Sequence, residues 1–477
     1  MSTKITIIGA GPGGYVAAIR AAQSGAEVTI IEQENVGGTC LNHGCIPSKI
    51  MITTAEMLEK FNRAGEFGIR TEGTPRVDMQ RLMERKNSII KTQIKGILGL
   101  LSHHKIRYIK GAAYIKDQGL ITVQNPGDEE IEVAWDKLII ATGTQPLSIP
   151  SLPFDGYKII SSNDALCLEE IPESTMIVGG GVIGCEFACI LSALGSKVTV
   201  VEALPRLLPI PSVDEDCSKI LQREFKKKKI KFMVNKTVES FEKIDTNLKV
   251  IISSSPFLEN PSEKDKKPLV VEVEKMLVCI GRKPNSDNIG LENINIETDE
   301  RGWIPADDHM KTNVENVYAI GDILGPAKIM LAHVASTEGE VAAENAMGES
   351  KKMEYDVVPG GIFTSPEVGN VGLTETQARE QGINVRADSV LFRTLGKAQV
   401  IGEIAGQAKI ISNADTGKIL GVHIIGAHAT DLIAEGTLAI KLGATVKDLT
   451  ETIHAHPTLA EVMLETSFTA IDRLLHG

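Results

Sequence analysis

The feature that most restricts how this 477-residue chain can fold is an internal repeat at an offset of 170 residues. The segment ITIIGAGPGGYVAAIRAAQSGAEVTIIE ends at Glu32, and TMIVGGGVIGCEFACILSALGSKVTVVE ends at Glu202. Gly9, Gly11, Gly14 and Glu32 map onto Gly179, Gly181, Gly184 and Glu202. Each copy reads as an apolar strand, a glycine turn, a helix, a second strand and an acid. In a GxGxxG turn the first glycine permits the sharp bend. The second lets backbone approach a pyrophosphate, and the third lets the helix pack on the strand. Phosphates then meet the helix N-terminus, where free N–H groups and the dipole favour negative charge. The acid, 23 residues after the first glycine, suits ribose hydroxyls. A period this long does not build a solenoid. The expected fold is α/β, with one dinucleotide-binding unit used twice.

The second acid also bears on which nucleotide is taken. A carboxylate at Glu202 favours a free 2′-hydroxyl, as in NAD, and repels the 2′-phosphate of NADP. Arg206 could instead be read as a 2′-phosphate ligand. Lying between Pro205 and Pro209, it reads as solvent-facing, so NAD is expected.

Composition excludes several other functions. The net charge is −12, with no basic domain, so nucleic acid is not an expected partner. Four consecutive lysines in EFKKKKIKF read as a solvated helix end rather than a targeting signal. The uncharged stretch from Ile5 to Ile19 holds four Gly and one Pro. It is too short for a membrane span and lacks the basic flank of a signal peptide. Seven cysteines, an odd and mostly scattered set, fit a reducing compartment, and a cytoplasmic location is expected.

Along the chain, residues 1–147 carry the first glycine unit and a cysteine pair. Prolines at 146, 150 and 153 mark a boundary, and residues 148–277 carry the second unit. Residues 278–350, with CIGRKPN and VYAIGD, read as a return to the first domain. Residues 351–477 mix strand and helix patterns and form a separate α+β unit.

The cysteine pair lies in GGTCLNHGCIPSK. Residues five apart on a helix rise ~7.5 Å, beyond the roughly 4.4–6.8 Å Cα separation of a disulfide. Cys40 and Cys45 can therefore join only if the segment bends. Pro47 suits a first helical turn, and a helix N-terminus lowers a thiol pKa. Lys49 is one turn beyond Cys45. A redox pair, two buried thiols and one structural bridge all remain open at this point. Of ten histidines, His454 and His456 fall in HAHPTLAE. Imidazole suits proton removal from a thiol near neutral pH, and a carboxylate on its other nitrogen would orient it.

GGTCLNHGCIPSK, both glycine units, IIATGTQP, CIGRKPN, VYAIGD and HAHPTLAE occur in order over essentially the whole chain. Together they resemble the flavoprotein disulfide reductases, the class I pyridine nucleotide-disulfide oxidoreductases. CLNxGCIPSK and HAHPTLxE look most like the members that oxidise protein-bound dihydrolipoamide with NAD. The resemblance implies two Rossmann-like domains, one for FAD and one for NAD, and a C-terminal dimerisation domain. FAD would be held around Gly9, Gly11, Gly14, Glu32, Gly38, Thr39, Lys49, Ala113, Thr142, Gly143, Asp322 and Ala332. NAD would be held around Gly179, Gly181, Val182, Ile183, Gly184, Glu202, Val238, Gly281 and Arg282. Cys40 would exchange with the substrate disulfide and Cys45 with the flavin, while Lys49 would pair with Glu186 near the flavin.

The resemblance assigns the base to His456 and its orienting acid to Glu461, with His454 structural. In this family the partner subunit supplies the base, so a homodimer is expected. A lipoylated acyltransferase of a 2-oxo-acid dehydrogenase complex would be the protein partner, and no metal is implied. The sequence departs from the family at Ala113, where glycine is common, and at Cys279, where alanine is usual. His43 fills a variable position and reads as exposed. The segment before Ala332 is one residue longer than usual. Relatives with a further C-terminal redox pair are excluded, because no cysteine follows Cys279.

Overall fold

The computed structural model describes residues 2–70, 72–127, 129–263 and 265–473. It divides into two compact units. The first comprises Met1–Met51, Asp78–Leu147 and Gly281–Tyr355, and the second Ile52–Val77, Ser148–Ile280 and Asp356–Gly477.

In the first unit, strand Lys4–Ile8 is apolar and buried from Ile5 onward. Strands covered on both faces read as continuous apolar runs, not alternating ones. It pairs in parallel with Glu27–Glu32 and Lys137–Ile140, so Ile5 lies beside both Val28 and Lys137. Arg107–Lys110 and Val317–Ala319 complete a five-stranded parallel sheet. The last of these comes from the third chain segment, which thereby rejoins the first glycine unit. A three-stranded antiparallel sheet, Ala112–Asp117, Leu120–Gln124 and Glu130–Ala134, is appended.

The second unit repeats the plan. Ser174–Val178 is central to a parallel sheet with Lys197–Val201, Lys231–Met233, Lys275–Val278 and Ile159–Ile160. The same unit holds a five-stranded antiparallel sheet ordered Gly360–Ile362, Glu367–Gly372, Ile419–Gly426, Gln407–Asn413 and Val385–Leu391. Helices Ala429–Lys441 and Glu461–Thr469 cover it over a core that includes Phe392, Ile410, Val422 and Met463. This is the α+β portion expected at the C-terminus. The helix Glu215–Lys227 ends within the lysine run. Lys228 is not simply solvated there. Its ammonium lies 2.8 Å from both Glu59 carboxylate oxygens and 2.6 Å from Ser365 Oγ, because burial beside an acid commits it.

No helix among the described residues is long and apolar enough to cross a membrane.

Candidate active site

The two glycine turns are built alike. Gly9 has φ +101° and Gly179 φ +105°. A Cβ at Gly9 would lie 2.3 Å from the Ala141 carbonyl oxygen, and one at Gly179 2.3 Å from that of Cys279. At Gly14 and Gly184 a Cβ would lie 1.9 Å from the carbonyl oxygen of the turn's own first glycine. Glycine is therefore demanded at both positions by the protein's own backbone. The middle glycines differ. A Cβ on Gly181 would meet nothing within 4 Å, and one on Gly11 only Gly38 Cα at 3.9 Å. The chain itself leaves that space open, as a pyrophosphate would require.

Each acid is fastened to its turn. Glu32 accepts the N–H groups of Ala10 and Glu34, both at 2.8 Å. Glu202 accepts those of Gly180 at 2.5 Å and Leu204 at 2.7 Å. Both carboxylates are buried, and burial pushes Glu32 above the ordinary carboxylate range against those N–H groups.

At the carboxyl ends of the first sheet, where α/β proteins hold ligands, lies a cleft of ≈330 Å³. Gly9, Ala113 and Thr142 line it with Ile31, Gly111 and Asp287. Thr142 Oγ1 is buried without a hydrogen-bond partner among the described residues. A buried hydroxyl facing a cleft with no partner fits a polar ligand. Gly38 packs onto this turn, since a Cβ there would lie 2.7 Å from Gly11 Cα. Gly38 and Thr39 open the helix Gly38–Asn42. Gly143, at φ +64°, accepts the N–H of Asn285 at 3.0 Å.

Asp322 accepts the Thr144 hydroxyl at 3.1 Å, and Arg282 donates to the same hydroxyl at 2.6 Å. Burial lowers the Arg282 pKa, opposed by the charges of Asp322 and Cys45. Behind Asp322, Glu338 accepts the N–H of Gly321 and the hydroxyl of Tyr355, both at 2.7 Å. Sequence reasoning passed over Thr144, Glu338 and Tyr355. For Glu338 a signal existed: with Ala335, Gly339 and Ala342 it forms the buried stripe of its helix, and an acid on such a stripe needs a partner.

The cysteine segment does bend. Helix Gly38–Asn42 stops at His43, whose φ is −136°, and a new helix starts at Cys45. Asn42 braces the break by donating to the carbonyls of Gly38 at 2.9 Å and Val36 at 3.2 Å. Neither cysteine is held in a disulfide. A hydrogen bond to Cys45, then burial, then the charge on Cys45 push the Cys40 thiol far above its usual range, while Lys49 pulls it down. His43 is only partly exposed and lies 3.4 Å from Glu34.

In the second unit, His456 Nδ1 lies 2.8 Å from Glu461 Oε1, and Glu461 Oε2 accepts the Thr458 N–H at 2.8 Å. The carboxylate makes Nδ1 the donor, which leaves Nε2 as the basic nitrogen. His454 is differently placed. Nδ1 faces the Thr452 carbonyl at 2.9 Å and Nε2 faces Glu435 at 2.8 Å. Both partners are acceptors, so both nitrogens donate, and the Glu435 hydrogen bond raises the His454 pKa. That ring has no free lone pair for a base.

Glu186, buried, accepts the Phe363 N–H at 2.9 Å from helix Val182–Ala193, which Val182 and Ile183 open. Lys49 belongs to the first unit and Glu186 to the second. Val238 points its side chain into the apolar core, so only its backbone is available to a ligand. Gly281 begins the return to the first unit, where its carbonyl accepts the Leu147 N–H at 3.1 Å. Ala332 is the first residue of helix Ala332–Ala346. Arg206 corrects the solvent-facing expectation. It is half-buried and donates to the carbonyls of Leu208 at 2.7 Å, Val213 at 3.0 Å and Ile210 at 3.1 Å, because the loop that follows it aims three carbonyls at it.

Comparison with known proteins places these features in a family. Residues 3–339 match the pyridine nucleotide-disulphide oxidoreductases, and residues 358–467 match the dimerisation domain of the same family. The chain is 42% identical to the dihydrolipoyl dehydrogenase of Chlamydia muridarum over 472 residues, covering 98% of this chain and 97% of that one. It is 40% identical to the dihydrolipoyl dehydrogenase of Bacillus subtilis over 481 residues, covering 99% and 98%. Among solved structures, LpdA of Mycobacterium tuberculosis superposes with a TM-score of 0.88 at 26% identity, over 98% of this chain and 99% of that one. The flavoprotein disulfide reductase RclA of Escherichia coli gives 0.83 at 26% identity, over 97% and 99%.

Proposed function

The chain belongs to the pyridine nucleotide-disulphide oxidoreductase family, and on that premise we propose that it is an FAD-dependent enzyme that oxidises dihydrolipoyl groups and reduces NAD. The observation that carries the reading is the thiol pair. Cys40 hydrogen-bonds to Cys45 at a helix break, in the unit that also holds the first glycine turn and its cleft.

Two exchanges complete the reaction. A substrate thiolate attacks Cys40 of the Cys40–Cys45 disulfide, forming a mixed disulfide and releasing Cys45 as thiolate. The second substrate thiolate displaces Cys40, leaving an oxidised lipoyl group and a reduced pair. His456 Nε2 takes the proton from each attacking thiol, and Glu461 holds the ring and stabilises the imidazolium. The reduced pair returns to disulfide as NAD takes up a hydride and one proton is released. The chemistry FAD supplies when bound is two-electron transfer between thiols and nicotinamide. Gly9, Gly11, Glu32, Thr142 and Asp322 would hold it. The Lys49 charge pulls the Cys40 thiol pKa down. Gly179, Gly181 and Glu202 would hold NAD, whose free 2′-hydroxyl suits the Glu202 carboxylate.

The functional species is a homodimer in which each subunit's His456 serves the partner's thiols, a reading supported by the dimerisation-domain match. The docking partner is the acyltransferase that carries the lipoyl group. A net charge of −12 suits a basic binding module on it. A cytoplasmic site of action fits the reduced, scattered cysteines. Anaerobic addition of dihydrolipoamide and NAD to the FAD-loaded protein tests the activity. One NADH should form per lipoyl disulfide, and two protein thiols should appear when NAD is withheld. No thiol release would overturn the reading.

A further inference from the structure

The loop that follows Glu202 is built more tightly than a connection needs to be. Leu208 has φ +48° and is fully buried, a left-handed conformation that a leucine adopts only at a cost. Two contacts compel it. Its N–H donates to the Gly180 carbonyl at 2.8 Å, and its carbonyl takes the Arg206 guanidinium at 2.7 Å. Arg206 also ties down Val213. The next residue, Asp214, caps the helix Glu215–Lys227 and lies 3.1 Å from the Lys409 ammonium.

Lys409 is an unusual residue for its place. It lies in strand Gln407–Asn413 of the C-terminal sheet with a side chain 8% exposed. Three carboxylates surround its ammonium, Asp214 at 3.1 Å, Asp216 at 2.9 Å and Glu375 at 2.7 Å. Its cross-strand neighbour is His423, whose own neighbour Asn370 donates to the Ser212 carbonyl at 3.0 Å. A polar row thus crosses three strands of the sheet and engages residues 212–216. Buried ion pairs add little net stability, but they can single out one arrangement.

We propose that Arg206 and Lys409 are positioning residues for the pyridine nucleotide. They hold the loop after Glu202 against Gly180, so that the glycine turn and the acid keep the geometry NAD needs. The proposal rests on the second glycine turn being the NAD site.

The test uses FAD-loaded protein carrying Lys409→Met, Arg206→Met, Lys409→Arg, and the pair Lys409→Met with Asp214→Asn. The paired variant leaves no lone buried charge if Lys409→Met alone does not fold. KM is measured separately for NAD and for dihydrolipoamide, and NAD binding is followed by fluorescence titration. The methionine variants should raise KM and Kd for NAD about 3- to 30-fold. KM for dihydrolipoamide should not change, and Lys409→Arg should stay within about twofold of the parent. Glu202→Ala tests the site itself. If Glu202→Ala weakens NAD binding and the folded methionine variants do not, the proposal falls and the NAD site stands. If no variant weakens NAD binding, both fall. A fall in kcat with both KM values equally raised would mark a merely structural role and would also overturn the proposal.

Discussion

The Glu32 carboxylate accepts the Ala10 N–H at 2.8 Å, and 170 residues later Glu202 does the same for Gly180 at 2.5 Å. In each copy the acid at or just beyond the end of the second strand is tied to the residue after the first glycine. The tie makes the acid part of the turn, so its removal affects phosphate and ribose contacts together.

Glu202→Ala should therefore cost more than one ribose hydrogen bond. It strands two N–H groups, those of Gly180 and Leu204, at about 1–3 kcal/mol each where buried. KM for NAD should rise at least tenfold. NADP should not become a substrate, because Arg206 is committed to three carbonyls. Only a second change, such as Ala203→Arg, should move the kcat/KM ratio toward NADP. Efficient use of NADP by the single variant would show that Arg206 is free to leave its loop.

The thiol pair gives a prediction in pH. Cys40 is raised first by its hydrogen bond to Cys45 and also by the Cys45 charge. Cys45→Ser removes that charge and weakens the hydrogen bond, while Lys49 stays. The pH midpoint for alkylation of Cys40 in the reduced protein should move downward. An unmoved midpoint would mean that the two sulfurs do not share a proton.

His454 makes a contribution of known sign. Its folded pKa is raised, chiefly by the Glu435 hydrogen bond. The stability it adds is complete below the unfolded value near 6.5 and fades as pH climbs through the folded value. The urea midpoint of the protein should therefore decline over that interval, and His454→Gln should flatten the decline. A variant whose midpoint follows the parent at every pH would rule out the imidazolium.

The fold class and the two turns were legible in the sequence because sterics dictate them. Gly9 and Gly14 cannot carry a Cβ without striking backbone, so the repeat is written in residues that geometry leaves no choice about. The thiols and HAHPTLAE were legible as chemistry-bearing residues at fixed spacing. What could not be read was long-range partnership. Nothing near Arg206 in sequence says that three carbonyls will close on it. Nothing near Lys409 announces Asp214, 195 residues away. Thr144, between Asp322 and Arg282, escaped for the same reason. Such residues are chosen by burial in the finished fold rather than by a local pattern.

His456 is the residue whose loss should separate the two halves of the reaction. General-base catalysis contributes roughly 10²–10⁴-fold, so His456→Gln should slow dihydrolipoamide oxidation by that order. Oxidation of NADH by a dye, which needs no proton from a substrate thiol, should continue. Glu461→Gln keeps the imidazole but loses the 2.8 Å contact to Nδ1. It should cost less than His456→Gln, since the imidazole itself remains. Equal loss in both assays would mean that His456 supports the fold and not the proton transfer.

The shared site can be tested by mixing defects. His456 is 76% exposed in the single chain, a setting in which a base would hold its proton-transfer partner poorly. A base that works between subunits needs a second chain to close over it. Cys40→Ser and His456→Gln homodimers should each be inactive toward dihydrolipoamide. After subunit exchange, a heterodimer has one site with both defects and one with neither. A random mixture is half heterodimer, with one good site of two, so about a quarter of parent activity should return. The exchange itself is followed by mass-tagging one chain, which separates failure to mix from failure to complement. If heterodimers form and remain inactive, His456 serves the thiols of its own chain or does not serve them at all.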